Sequence, residues 1–225
     1  MICGVDEAGR GPVIGPLVVA GISVDSDEPL KKLGVRDSKK LSPIRREELE
    51  LKIKEITEFD IVVLPAAEID LLREEMTLNR IEAKLFASVI EHLKPSTAYV
   101  DSADADEKRF GDLILRELVE KPLIVSKHKA DEEYPVVSAA SIVAKVRRDY
   151  EVKKIENEIG EAIGSGYPSD PTTIAFIERW LREKGELPPH TRSSWRTIIN
   201  IRKRICGPNG VKLREPRFKR LEDWR

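Results

Sequence analysis

Four acids in this 225-residue chain stand at the ends of predicted segments, where side chains from separate elements can meet. Asp6 and Glu7 interrupt an apolar run near the N-terminus and are followed at once by Gly9, Arg10 and Gly11. Asp101 closes the stretch TAYVD, and Asp131 lies in HKADEEYPVVSAAS, just ahead of a long helical pattern. Desolvating a carboxylate costs several kcal/mol or more, so two on a short buried strand need a partner. Four carboxylates in a small cleft cannot all ionise unless divalent metal neutralises them. Oxygen ligands without His or Cys select Mg²⁺ or Mn²⁺ over Zn²⁺. Two such ions about 4 Å apart activate a water and stabilise the leaving oxygen in phosphodiester hydrolysis. The plain alternative is that each is a turn residue, for the chain has 40 Asp and Glu. Strands also alternate faces, so Asp6 and Glu7 point apart on a regular strand. They can reach one site only at its end, where Gly9 frees the backbone.

The elements that must position these acids follow from apolar patterning. Residues 2–7 and 13–24 read as two strands joined by AGRGP, and FDIVVLP, TAYVD and PLIVS read as three more. Helices are predicted over about 43–57, over LNRIEAKLFASVIEHL with Ile81, Leu85, Val89 and Leu93 at steps of four, near 105–120, and from Val136 to about Ile159. Two further helical stretches, PTTIAFIERWLREKG and SSWRTIINIRKR, flank Pro188 and Pro189. A strand pair followed by alternating helices and strands specifies an α/β domain around a mixed sheet, and such sheets place sites beyond strand ends. The Pro-containing stretch at 168–171 is the expected seam, giving a body over 1–168 and a helical C-terminal region over 169–225.

Bulk composition narrows the class. No apolar run approaches the roughly 18 residues of a membrane span, and no signal peptide is visible, so a cytoplasmic protein is expected. Cys3 and Cys206 form no CxxC and stand near no His pair, which argues against structural zinc and a disulfide framework and fits a reducing compartment. The chain has 35% charged residues and no glutamine, a bias shared with heat-adapted proteins. Its net charge of −1 hides a split: residues 192–225 carry eleven Lys/Arg against three acids, a net +8 beside −9 for the rest. A basic tail on an acidic body suggests a held polyanion; a solvated basic helix is the bland alternative.

The motif GVDEAGRGPVIGPLVVA, with DSKKLSP, DSADA, HKADEEYPVVSAASIVAKVRRD and GSGYPSDPTT after it in order, resembles ribonuclease HII, the type 2 ribonuclease H family, over residues 2 to about 173. The compact length is most similar to archaeal members. The resemblance implies an RNase H-like fold: a mixed sheet flanked by helices, plus a helical C-terminal appendage. It implies endonucleolytic cleavage of RNA in RNA–DNA hybrids and nicking 5′ of single ribonucleotides in duplex DNA, leaving 3′-hydroxyl and 5′-phosphate ends. Asp6, Glu7, Asp101 and Asp131 match the family's catalytic, metal-binding carboxylates, with two Mg²⁺ or Mn²⁺ ions expected. Gly9, Arg10 and Gly11 match the loop that contacts the ribonucleotide's 2′-hydroxyl through backbone, although a hairpin turn also favours glycine. Tyr167 matches a tyrosine that packs on the following sugar, where a tyrosine at a domain seam is the alternative. The resemblance implies removal of misincorporated ribonucleotides and a part in primer removal; a monomer is expected.

Other contacts rest on charge and position. Lys39 and Lys40, on the DSKKL loop, are expected to reach phosphates, as are Lys145 and Arg148, three apart on one helix. Ser138 and Ser141, near that helix's start, are candidates to hold phosphate with backbone N–H groups. His128 lies close to Asp131 but is not assigned as a base. Some family members bind the sliding clamp through a C-terminal Gln with paired aromatics; the ending here has Phe218 and Trp224 without glutamine, which counts against clamp binding. Two other classes remain open on the residues: a DNA-cutting nuclease with the same clustered acids, and a non-catalytic hybrid binder.

Overall fold

The computed structural model describes residues 1–35 and 41–207. The Val- and Ile-rich runs pair into one five-stranded sheet. β1 (Ile2–Ala8) runs antiparallel to β2 (Leu17–Val24), from Ile2 opposite Val24 to Ala8 opposite Val18. β2 continues antiparallel to β3 (Glu58–Leu64). On its other side β1 lies parallel to β4 (Thr97–Asp101), and β4 parallel to β5 (Leu123–Lys127), giving the order β3-β2-β1-β4-β5. The sheet is therefore mixed, as the pattern predicts.

Helices cover both faces. α7 (Pro135–Ile159) crosses the face that carries Ala8, Ala20 and Ile22, beside α1 (Glu28–Leu33) and α2 (Pro43–Ile56). Its residues 135–144 are all buried, the mark of a core helix rather than a surface one. Gly4 of β1 makes this contact possible, since a Cβ there would stand 2.3 Å from the Val136 carbonyl carbon. The opposite face, with Cys3, Val5 and Val19, packs on α4 (Leu78–Leu93) and α5 (Glu107–Glu117) through Phe86, Ile90, Phe110 and Ile114. α3 (Ala66–Leu72) follows β3, and the single turn α6 (Ala130–Glu133) precedes α7.

The second strand starts at Leu17, not at residue 13. Gly15, at φ +99°, and Pro16 break the extended run. Residues 13–16 instead tie to the C-terminal part: Val13 N–H donates to Gly166 O (2.8 Å) and Gly15 N–H to His190 O (2.9 Å). α8 (Pro171–Lys184), capped by Asp170, and α9 (Arg196–Ile205) pack through Phe176, Ile177, Ile198 and Ile201 on Ile14, Val152 and Ile155. Apolar contact thus runs unbroken across residue 168, from Ile163 to Phe176. Among the described residues no helix is long and apolar enough to cross a membrane.

Candidate active site

β1 and β4 pair in register up to Val5 and Val100, so Asp6 and Asp101 are the next residues of the two parallel strands. Strand alternation is kept. Asp6, on the α7 side, accepts from the Ser141 hydroxyl and lies near Lys145. Glu7 turns to the α4 side, near Glu82 and Arg10. Asp101, at the end of the central neighbour, acts electrostatically on both. A strand end therefore gathers acids from both faces without any break in β1, which remains regular through Ala8. Asp131 is buried on α6, next to Ala130, whose N–H donates to Asp101 Oδ1 (3.1 Å).

The electrostatics match this crowding. Burial, reinforced by Asp101, pushes Asp6 up to about 7, against the pull of Lys145, Ser141 and the Glu7 N–H. Burial and then Asp6, Glu82 and Asp101 hold Glu7 well above the usual carboxylate range, with Arg10 opposing. Glu7 Oε2 is buried without a hydrogen-bond partner. Among the described residues no three His, Cys, Asp or Glu side chains stand in a ready-made metal-binding arrangement.

Beside the acids opens a cavity of about 330 Å³ lined by Glu7, Gly9, Arg10, Gly11, Arg46, Lys145, Arg148 and Tyr167, among others. Gly9 sits at φ +86°, and a Cβ there would meet Pro16 O at 2.6 Å, so only glycine fits. A Cβ on Gly11 would lie 3.5 Å from Tyr167 Cε1, which places loop and ring on one wall. The Arg148 guanidinium stacks 5.2 Å from the Tyr167 ring and donates to Ser165 O. Arg10 instead turns to α4, paired with Glu82 and donating to Asn79 Oδ1 (2.8 Å). A larger hollow of about 520 Å³, between Ile90, Lys94, Pro95, Val119 and Leu123, lies away from these groups and gathers no comparable chemistry.

Most residues singled out in the sequence thus share one region: Asp6, Glu7, Asp101, Gly9, Arg10, Gly11, Lys145, Arg148 and Tyr167. Ser141 lies there too, but between Lys145, which donates to it, and Asp6. Ser138 does not reach the opening. It is fully buried and its hydroxyl donates to Val35 O, because position 138 faces the α1 side of α7. Lys39 and Lys40, like Phe218 and Trp224, lie outside the described residues. His128 is held at the surface by Ala105 O and Glu107. Sequence reasoning missed Glu82, Asn79, Arg46 and Arg192. Glu82 left a signal, an acid set directly beside Ile81 in the apolar face of α4 and 0% exposed. Arg46 left none among the charges of RREELE.

Comparison with known proteins places this geometry. The family model described as Ribonuclease HII matches residues 3–198. A ribonuclease HII of Methanoregula boonei is 51% identical over 201 residues, 89% of this chain and 94% of that protein. The crystal structure of the ribonuclease H2 from Pyrococcus horikoshii OT3 superposes with a TM-score of 0.84 at 43% identity, covering 90% of this chain and 97% of that one. The RNase HII of Archaeoglobus fulgidus, solved as a complex with PCNA, superposes at 0.83 with 39% identity over 99% of this chain and 100% of that one. The family match, the identities and the superpositions agree: the chain belongs to the ribonuclease HII family.

Proposed function

We propose that this type 2 ribonuclease H, an endoribonuclease acting on RNA–DNA hybrids, also nicks duplex DNA 5′ of a single embedded ribonucleotide, leaving 3′-hydroxyl and 5′-phosphate ends. The carrying observation is the meeting of Asp6, Glu7 and Asp101 at the ends of β1 and β4 beside an open cavity. The group fits a hard divalent cation. Its donors are carboxylate oxygens, burial reinforced by the neighbouring acids raises Asp6 and Glu7, and Glu7 Oε2 is buried without a partner. Asp6, Glu7 and Asp101 would hold Mg²⁺ or Mn²⁺, two ions on the family pattern, with Asp131 completing the set from α6. Held by these residues, such a cation would supply water activation and charge screening at the reacting phosphate.

The chain's own residues supply the rest. Lys145, held near Asp6 through Ser141, and Arg148 offer cations to the backbone of the strand being cut; Lys39 and Lys40, outside the described residues, are proposed as further phosphate contacts on charge alone. The glycines let backbone approach the ribose, where the 2′-hydroxyl distinguishes RNA from DNA. Tyr167 on the same wall tests the next sugar, since an added hydroxyl would crowd its ring. A plain DNA nuclease needs neither feature.

The test is a labelled duplex carrying one ribonucleotide beside an all-DNA control, with and without Mg²⁺ or Mn²⁺, and with product ends mapped. A metal-dependent nick 5′ of the ribonucleotide, and none in the control, is expected. Cleavage of a long hybrid alone would remove the role given to Tyr167. Cleavage of the all-DNA control at a comparable rate would favour a DNA nuclease. Binding without product would make the protein a hybrid binder. The Archaeoglobus fulgidus relative was solved with PCNA. A direct binding assay with PCNA therefore decides between a like contact here and the glutamine-free ending that counts against it.

A further inference from the structure

Arg192 entered the sequence reading as one charge of the basic tail, yet it is fully buried. Its guanidinium spends its donors on backbone: Nη2 on Gly9 O (2.6 Å), Nη1 on Arg10 O (3.0 Å) and Nε on Gly15 O (2.9 Å). Its own N–H donates to Val13 O (2.8 Å), so one residue holds the β1–β2 loop at four points. The arginine is itself fixed from behind. Its guanidinium packs 4.9 Å from the Trp195 ring, and Asp70 of α3 accepts from the N–H and hydroxyl of both Ser193 and Ser194. A trans peptide is planar with C=O and N–H opposed. Holding the carbonyls of Gly9 and Arg10 therefore fixes the N–H groups of Arg10 and Gly11 on the side away from Arg192.

We infer that Arg192 is the positioning residue of the Gly9–Gly11 loop, setting the backbone donors that this loop offers to the ribose; what the donors read rests on the function proposed above. Arg192 touches no reacting group, and being buried it is no phosphate contact. Lysine cannot replace it, since an ammonium on a flexible stem does not reproduce three contacts from a planar fork.

The test uses the full-length protein carrying Arg192→Lys. Two readouts apply: the backbone amide resonances of Arg10 and Gly11, and the ratio of affinities for a one-ribonucleotide duplex and an all-DNA duplex, measured in EDTA. Both amides should shift or broaden while those of α8 stay in place. The affinity ratio should fall at least five-fold, with all-DNA affinity within two-fold of the parent. Unmoved amides overturn the inference, and so does an equal loss of affinity for both duplexes with unmoved amides. Displaced amides with an unchanged ratio would uphold the positioning and instead overturn the reading of the loop as a hydroxyl sensor. If Arg192→Lys does not fold, Asp70→Ala loosens the same segment from outside and should move the same two amides less; no movement there also overturns it.

Discussion

Asp6, Glu7 and Asp101 meet at a strand end where burial, with Asp101 beside both and Asp6 beside Glu7, makes Asp6 and Glu7 harder to ionise. Such a cluster opposes folding in the absence of metal and gains its use only when a cation is bound. Asp101→Asn separates these two effects. The amide keeps an oxygen for the Ala130 N–H, so the local backbone holds. It removes one of the charges that raise Asp6 and Glu7, so the metal-free variant should melt no lower than the parent. Turnover on an RNA–DNA hybrid should nonetheless fall at least roughly 100-fold, with hybrid affinity changed far less. Full cleavage by the folded variant would remove Asp101 from the reaction. These acids were legible in the sequence because Asp6 and Glu7 interrupt an apolar run, Asp101 closes one, and all three match the family's carboxylates. Ser138 and Ser141 show where residue type stops informing: on the same helix and three apart, one donates into the core and the other to Asp6. Only the rotation of α7 against the sheet decides between them.

Elements bring these side chains to a common point through a few polar ties. Asn79 of α4 accepts from Arg10 and donates to Asp104 Oδ2 (2.7 Å), and Arg109 of α5 closes on the same carboxylate. The loop after β4, helix α4 and the Gly–Arg–Gly loop are thereby joined in one chain of bonds. Arg109, with the Asp106 N–H and Asn79, holds Asp104 well below the usual carboxylate range against the cost of its burial. A depressed carboxyl binds fewer protons folded than unfolded, so its stabilisation is complete above the unfolded value near 3.8 and is lost as pH falls below it. Asp104→Ala should lower Tm by roughly 3–8 °C at pH 7. That deficit should shrink as pH falls below about 3.8, where the parent loses the same interaction. A deficit independent of pH would make the loss one of packing. The long helices and the strand order were legible because their apolar periods are long. The short α1, α3 and α6 were not, since six, seven and four residues hold too little of a 3.6-residue period to read. Residues 13–16 misled for another reason. Val13 and Ile14 are buried as a strand's residues would be, but against α7 to α9 rather than in the sheet.

At the scale of the whole molecule, the basic C-terminal stretch divides in two. Charge alone presented residues 192–225 as one tail of net +8 that grips a polyanion. The described part is built into the protein: Ile198, Ile201 and Ile205 are buried against α8, and Arg192 holds the loop beside the clustered acids Asp6 and Glu7. Residues 208–225 lie outside the described part and carry six Lys/Arg against three acids. Composition cannot separate a cation turned inward from one turned outward; only Trp180 and Trp195 suggest from the sequence that part of this region packs on the body. Two truncations test the division. A chain ending at Gly207 keeps every packed residue of α9 and should fold with an unchanged Tm. Each phosphate contact contributes about 0.9 to the slope of log K against log salt on duplex DNA. The shortened chain should therefore bind substrate more weakly with a shallower salt slope, while cutting at the same position. A chain ending at Thr191 loses the third apolar cluster's α9 side and the guanidinium under Gly9 and Arg10, and should fail to fold or lose cleavage at any salt. An unchanged salt slope in the first truncation would assign the tail's cations to solvent. The polyanion would then be held by the cavity's own Lys145, Arg148 and Arg46.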